Sequence, residues 1–154
     1  MKIITGDIVK QALEFDIIVH GCNCFNNMGG GLAKQIKRTF PEAYKVDCQT
    51  KRGDKKKLGN FTACVIKLNN SEITIINAYT QFYYKIISEN KKKLVDYNAL
   101  RNVFKQIKKH YNGKKIAYPL IGAGLAGGNW EIISKIIDEE LINEDHTLVK
   151  YSKN

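Results

Sequence analysis

The sequence predicts an α/β fold in which helices flank a mostly parallel β-sheet. Three observations predict it. Short β-branched apolar runs alternate with stretches whose apolar residues recur every three or four positions. Two Gly-rich segments each follow an apolar run and open a helical stretch. The 154 residues suffice for one sizeable core but not for two. With no linker, repeat or low-complexity tract, residues 1–154 are expected to form a single domain.

Met1 to Thr5 reads as a short strand, followed at Gly6-Asp7-Ile8 by one or two helical turns. Phe15 to Gly21 carries Ile17, Ile18 and Val19 in succession, as a strand covered on both faces requires. Cys22 to Gly31 is a loop of Asn and Gly. Leu32, Ile36 and Phe40 then mark one helical face ending at Pro41. Phe61 to Leu68 and Ile73 to Tyr79 are two strands split by an Asn-Asn-Ser turn. Thr80 to Lys93 has no period and reads as an exposed loop that begins with aromatics. Tyr97, Leu100, Phe104, Ile107 and Tyr111 define a long amphipathic helix. Ile116 to Tyr118 is a strand closed by Pro119, and Gly122 to Gly128 is the second Gly-rich loop. Trp130, Ile133, Ile137 and Leu141 mark the last helix, and Thr147 to Tyr151 the last strand.

Hydrophobic residues at 44% and charged residues at 26% exclude disordered and fibrous classes. No apolar run is long enough for a membrane span or a signal-peptide core, so a cytoplasmic protein without membrane contact is expected. Cys22, Cys24, Cys48 and Cys64 form no disulfide framework and read as buried, reduced thiols. A metal cluster of His20, Cys22 and Cys24 is the weaker alternative, lacking a second paired motif, and no metal is expected. The net charge of +10 suits an anionic partner. Residues 131–154 carry three basic and six acidic side chains, which leaves +13 on the rest of the chain. Much of that excess lies in Lys55–Lys57, Lys91–Lys93, Lys108–Lys109 and Lys114–Lys115. Such runs are ordinarily solvated faces, with nucleic-acid contact as the competing reading.

Glycine lets a ligand approach the bare backbone, and the free N–H groups at a helix start favour anions. One such loop is often a steric necessity. Two, at Gly29–Gly31 and Gly122–Gly128, could clamp a diphosphate from both sides at the carboxyl edge of one sheet. Gly122, Gly124 and Gly127 also satisfy G-x-G-x-x-G. A dinucleotide fingerprint, however, needs a following βαβ unit with an acid at its next strand end, and the chain ends too soon for one. A hydride-transfer enzyme is therefore not expected.

Between strand and first glycine cluster runs His20-Gly21-Cys22-Asn23-Cys24-Phe25-Asn26-Asn27-Met28. Asn23 is the candidate for sugar hydroxyls, while Asn26 and Asn27 read as loop formers. His20 is either a satisfied core histidine or a general acid or base beside a phosphate cradle. Asp7 is either a helix N-cap or an acceptor for an exocyclic amine such as that of adenine. Tyr79, Phe82, Tyr83 and Tyr84 are core and lid residues or a stacking surface for a base or ribose.

Gly6-Asp7-Ile8, Cys22-Asn23 through Gly29-Gly30-Gly31-Leu32-Ala33, and Pro119-Leu120-Ile121-Gly122-Ala123-Gly124-Leu125 together resemble the macrodomain family. The resemblance covers essentially the whole chain. Within the family, His20 to Cys24 followed by Met28 to Ala33 is similar to the yeast-type ADP-ribose-1″-phosphate phosphatase branch, whose small relatives occur in bacteria and phages.

The resemblance implies a three-layer α/β/α fold with a mixed, mostly parallel sheet, and ADP-ribose or its 1″-phosphate as ligand. By the family pattern, Gly6, Asp7 and Ile8 contact adenine. Gly29, Gly30, Gly31 and Leu32, together with Ile121, Gly122, Ala123, Gly124 and Leu125, hold the diphosphate. Asn23, His20 and Tyr79, or an aromatic just after Tyr79, face the distal ribose. The implied reaction is hydrolysis of ADP-ribose-1″-phosphate, with His20 and Asn129 as catalytic residues and no cofactor. ADP-ribosylated macromolecules are a further partner class, and a monomer is expected.

Two departures bear on the chemistry. The phosphatase branch carries an acid in the second loop where this chain has Asn129, and an amide cannot serve as a base at neutral pH. Either His20 with water suffices, or binding without turnover is the main property. The branch that removes ADP-ribose from protein acids uses a lysine and an acid at places held here by Thr80-Gln81 and Ala126.

Overall fold

The computed structural model describes residues 1–86 and 93–153. Its strands are β1 (Lys2–Gly6), β2 (Ile17–Cys22), β3 (Phe61–Leu68), β4 (Ser71–Tyr79), β5 (Ile116–Tyr118) and β6 (His146–Tyr151). The α-helices are α1 (Gly31–Thr39), α2 (Pro41–Cys48), α3 (Tyr97–His110) and α4 (Trp130–Glu140). The six strands form one sheet in the order β1-β6-β5-β2-β4-β3. All neighbours run parallel except the β3–β4 hairpin, which puts one antiparallel strand at the edge.

Side chains alternate between the faces of a strand, so β2 and β4 feed two cores. Ile17, Val19 and Ile76 pack with Leu100 and Phe104 of α3 and with Ile133 and Ile137 of α4. Ile18, Ile73 and Ile75 pack on the other face with Ile36 of α1 and Ala43 of α2. The sheet lies between two helical layers, as expected from the sequence.

Pro41 does more than end a helix. Its fixed φ and missing N–H suit the first turn, and it sits at the start of α2 immediately after Phe40 has closed α1. The stop signal at Pro41 is therefore also a start signal, and α2 brings the Asp47 carbonyl to the Asn26 side chain, which donates to it at 3.3 Å. The β3–β4 turn places Asn69 at φ +55°, a conformation Asn tolerates.

Two sequence expectations change here. Cys22, Cys24 and Cys64 are buried, but Cys48 at the end of α2 is exposed. Lys57 is not part of a solvated run. It is 8% exposed, and its ammonium donates to Asn26 Oδ1 (2.8 Å) and to the carbonyls of Cys24 and Lys51. Lys91 and Lys92 lie outside the described residues. No helix among the described residues is long and apolar enough to cross a membrane.

Candidate functional site

β2 and β5 are parallel neighbours, so the segments that follow them leave the sheet at the same edge. The first enters α1 through Gly30 and Gly31, and the second enters α4 through Gly122 to Asn129. They meet. A Cβ placed on Gly31 would lie 3.3 Å from the Leu125 side chain, and one on Gly30 would lie 3.5 Å from it. Between them is a crevice of about 370 Å³ floored by His20 and Gly21, with Asn23 and Ile121 in its wall. A larger hollow of about 1150 Å³ is lined by Phe82, Tyr83 and Gly127 but by neither His20 nor Asn23 nor the first glycine loop.

Backbone geometry explains the glycines. Gly31 has φ +58° and Gly122 has φ +78°, and a Cβ at Gly122 would come within 2.8 Å of Val95. No side chain caps the start of α1, and its first turn carries no acid. The N–H groups of that turn, on Gly31, Leu32 and Ala33, belong to residues that line the crevice. A positive dipole end thus borders it, suited to an anion. The start of α4 differs, because the Asn129 side chain accepts from Glu131 N at 2.9 Å and caps it.

The crevice gathers His20, Asn23, Gly30, Gly31, Leu32, Ile121, Gly122, Gly124 and Leu125 from the sequence candidates. It does not gather Gly6, Asp7, Ile8, Gly29, Tyr79, Ala123 or Asn129. Asp7 Oδ1 accepts from Val9 N (3.0 Å) and Lys10 N (3.2 Å), the capping role. Ile8 is buried in the core below α1, and Gly29 N donates to Asn27 Oδ1.

Two candidates are reassigned by geometry. Tyr79 is 1% exposed, and its phenol donates to Asp47 Oδ1 at 2.7 Å and meets Thr62 Oγ1 at 2.9 Å. That ring is a core residue and does not line the crevice. Asn129 is exposed, with its oxygen spent on the cap and its backbone N–H donated to Tyr97.

Asn23 shapes the loop as well as lining the crevice. Its oxygen accepts from Phe25 N (2.9 Å) and Asn27 N (3.3 Å), and its amide donates to Asn27 O (2.7 Å). Asn26 takes φ +56°, the loop-forming role expected of it. Asn27, read only as a loop former, also lines the crevice.

Sequence reasoning missed Tyr151 and Val149, which line the same space. Tyr151 is 63% exposed and pairs in register with Gly6, so it stands where β1 and β6 end together. The signal was the placement of an aromatic at a strand end, readable once strand order is known. Tyr84, 38% exposed and one of the aromatics that follow Tyr79, also lines the crevice.

His20 is 1% exposed, and its Nε2 lies 2.7 Å from Asn77 Oδ1. Burial disfavours the imidazolium and lowers the pKa to about 4, only partly offset by the Asn77 hydrogen bond. His20 is neutral at pH 7. Burial also pushes the Cys22 thiol well up, so it stays protonated beside the ring, with Sγ 3.6 Å from Nε2. Among the described residues, no group of three or more His, Cys, Asp or Glu side chains is placed to hold a metal ion.

A sheet of this order with two glycine loops opposed at its carboxyl edge defines an α/β protein with a crevice between those loops. The family model described as Macro domain matches residues 19–137, and the chain belongs to that family. It is 36% identical over 143 residues to a 17.5 kDa protein from the tk-vs intergenic region of Enterobacteria phage T4, covering 90% of this chain and 88% of that one. It is 25% identical over 146 residues to the ADP-ribose 1″-phosphate phosphatase of Candida albicans, covering 90% and 92%. The structure of Thermosipho africanus DarTG in complex with ADP-ribose matches with a TM-score of 0.72 at 18% identity, over 97% of this chain and 42% of that one.

Proposed function

We propose that this macrodomain binds ADP-ribose and hydrolyses ADP-ribose-1″-phosphate to ADP-ribose and phosphate. The observation that carries the reading is the meeting of the two glycine loops across a crevice whose wall includes the uncapped start of α1. The amides of Gly30, Gly31 and Leu32 on one side of the crevice and of Gly122, Gly124 and Leu125 on the other hold the diphosphate. Adenine lies toward Tyr151 and the Gly6-Asp7-Ile8 turn, which the β1–β6 register places at one end. The distal ribose lies over His20 and Asn23, and the amides stabilise charge as it builds on phosphate.

Support comes from three sides: the crevice is large enough for part of a dinucleotide, His20 lines it, and the Candida albicans relative carries this activity in its name. The test is phosphate release from ADP-ribose-1″-phosphate beside calorimetry with ADP-ribose. His20→Ala is expected to cut turnover at least about 100-fold while ADP-ribose affinity barely changes. Unchanged turnover removes His20 from the reaction.

A second reading has its own observation. Phe25 and Tyr83 stack with centroids 5.3 Å apart, and cations sit against this cluster: Arg52 5.5 Å from the Phe25 ring, Lys55 5.7 Å from Phe82 and Lys85 5.6 Å from Tyr84. An aromatic rim with cations suits bases and phosphates. On this reading the ADP-ribose is attached to a nucleic acid whose chain lies along the rim. Binding to such a conjugate would weaken steeply with salt, whereas free ADP-ribose would respond little.

A further inference from the structure

A row of polar side chains runs beneath the crevice floor. His20, Asn77 and Thr62 are register partners across β2, β4 and β3, all on the α2 side of the sheet. Asn77 Nδ2 lies 2.9 Å from the Ala43 carbonyl and 3.1 Å from Thr62 Oγ1. A backbone carbonyl can only accept, so the amide nitrogen faces α2 and the amide oxygen faces His20. That oxygen can itself only accept, so the hydrogen sits on His20 Nε2.

The row continues with its direction fixed. Tyr79 has one hydroxyl hydrogen and donates it to Asp47, so Thr62 donates to Tyr79 and accepts from Asn77. Every hydrogen points away from His20 toward a buried carboxylate. Cys22 Sγ lies 3.6 Å from Nε2 and 3.8 Å from Nδ1, and its sulfur can accept weakly from the Nε2 hydrogen.

We propose that Asn77 is a positioning residue that locks His20 in the Nε2–H tautomer, so that His20 meets the ligand as a hydrogen-bond acceptor through Nδ1 and not as an acid. The inference rests on the proposed hydrolysis for its consequence but not for the tautomer. In that reaction the attacking water forms the new O–P bond, and the P–O bond to C1″ breaks. The proton shed by the water passes through Nδ1 to solvent, and the departing sugar oxygen takes its proton from solvent. The titratable groups on this side include Cys22 of β2, Cys64 of β3, Tyr79 of β4, Asp47 of α2, and Cys24 and Lys57 of the loops. Lys57 is spent on Asn26 and two carbonyls.

Imidazole-labelled protein tests this by nitrogen NMR, with the His20 signals assigned by their loss in His20→Gln. The expected spectrum shows His20 neutral, protonated on Nε2, and unchanged from pH 8 to about pH 5. A hydrogen on Nδ1, a mixture of tautomers or titration near the ordinary histidine value would overturn the proposal. Asn77→Asp is expected to shift His20 to the imidazolium at pH 7 and to lower kcat about 10- to 100-fold with KM little changed. An unaltered kcat with an unaltered ring would also overturn it. If Asn77→Asp does not fold, the wild-type spectrum decides alone. A wild type that shows the expected tautomer yet releases no phosphate refutes the hydrolysis and leaves the Asn77 assignment standing.

Discussion

His20 has a measurable signature in stability. Its pKa is about 4 in the folded protein and near 6.5 in an unfolded chain, so between those values the unfolded state binds the extra proton. The stabilising effect of its neutral burial is complete above pH 6.5 and is lost as the pH falls toward 4. The shift corresponds to an effect on the order of 3 kcal/mol. Asp47 acts in the opposite sense, since burial raises its pKa and acid relieves the buried charge. Urea unfolding of wild type and His20→Gln between pH 7 and 4.5 separates the two, because Asp47 is common to both. The wild type should lose more stability than the variant across that interval; equal losses would mean that His20 is not buried neutral. At this scale the sequence named His20 and Asn23 but left the histidine undecided between core and chemistry. The structure makes it both lining and buried. What settled its tautomer, the cross-strand row with Asn77 and Thr62, requires strand order, which periodicity does not encode.

The helices explain why the two glycine loops are not equivalent. The start of α1 has no side-chain cap and lines the crevice, whereas α4 is capped by Asn129 outside it. Replacing the cap with Ala should cost about 1 kcal/mol, seen as a lower urea midpoint. Asn129→Asp should keep the cap, because a carboxylate also accepts from Glu131 N and suits the helix dipole. It should leave phosphate release within about twofold; a gain tenfold or larger would return residue 129 to the reaction. The cap was readable in sequence as an Asn just before an apolar helix, yet the family pattern drew the residue toward catalysis. Most elements were legible because β-branched runs and a 3.6-residue period are strong signals in this chain. A separate α2 was not, because Pro41 marks both an end and a beginning. The surroundings of Tyr79 were hidden for a related reason: its neighbour on α2, Asp47, is distant in sequence and accepts from its phenol.

For the molecule as a whole, parallel pairing from β1 to β4 sends the strand ends that matter to one edge. The crevice exists because β2 and β5 are adjacent there, and the phosphate-binding reading of two separate loops becomes one site only through that adjacency. The positive charge concentrated outside residues 131–154 favours an anionic ligand without defining it. On the proposed reading the two loops grip a single diphosphate. Backbone amide NMR during titration with ADP-ribose tests it most directly. The amides of Gly30, Gly31 and Leu32 and those of Gly122, Gly124 and Leu125 should shift together, with one saturation curve. Shifts confined to one loop, or to residues outside the crevice while both loops stay still, would rule out a diphosphate shared between the loops.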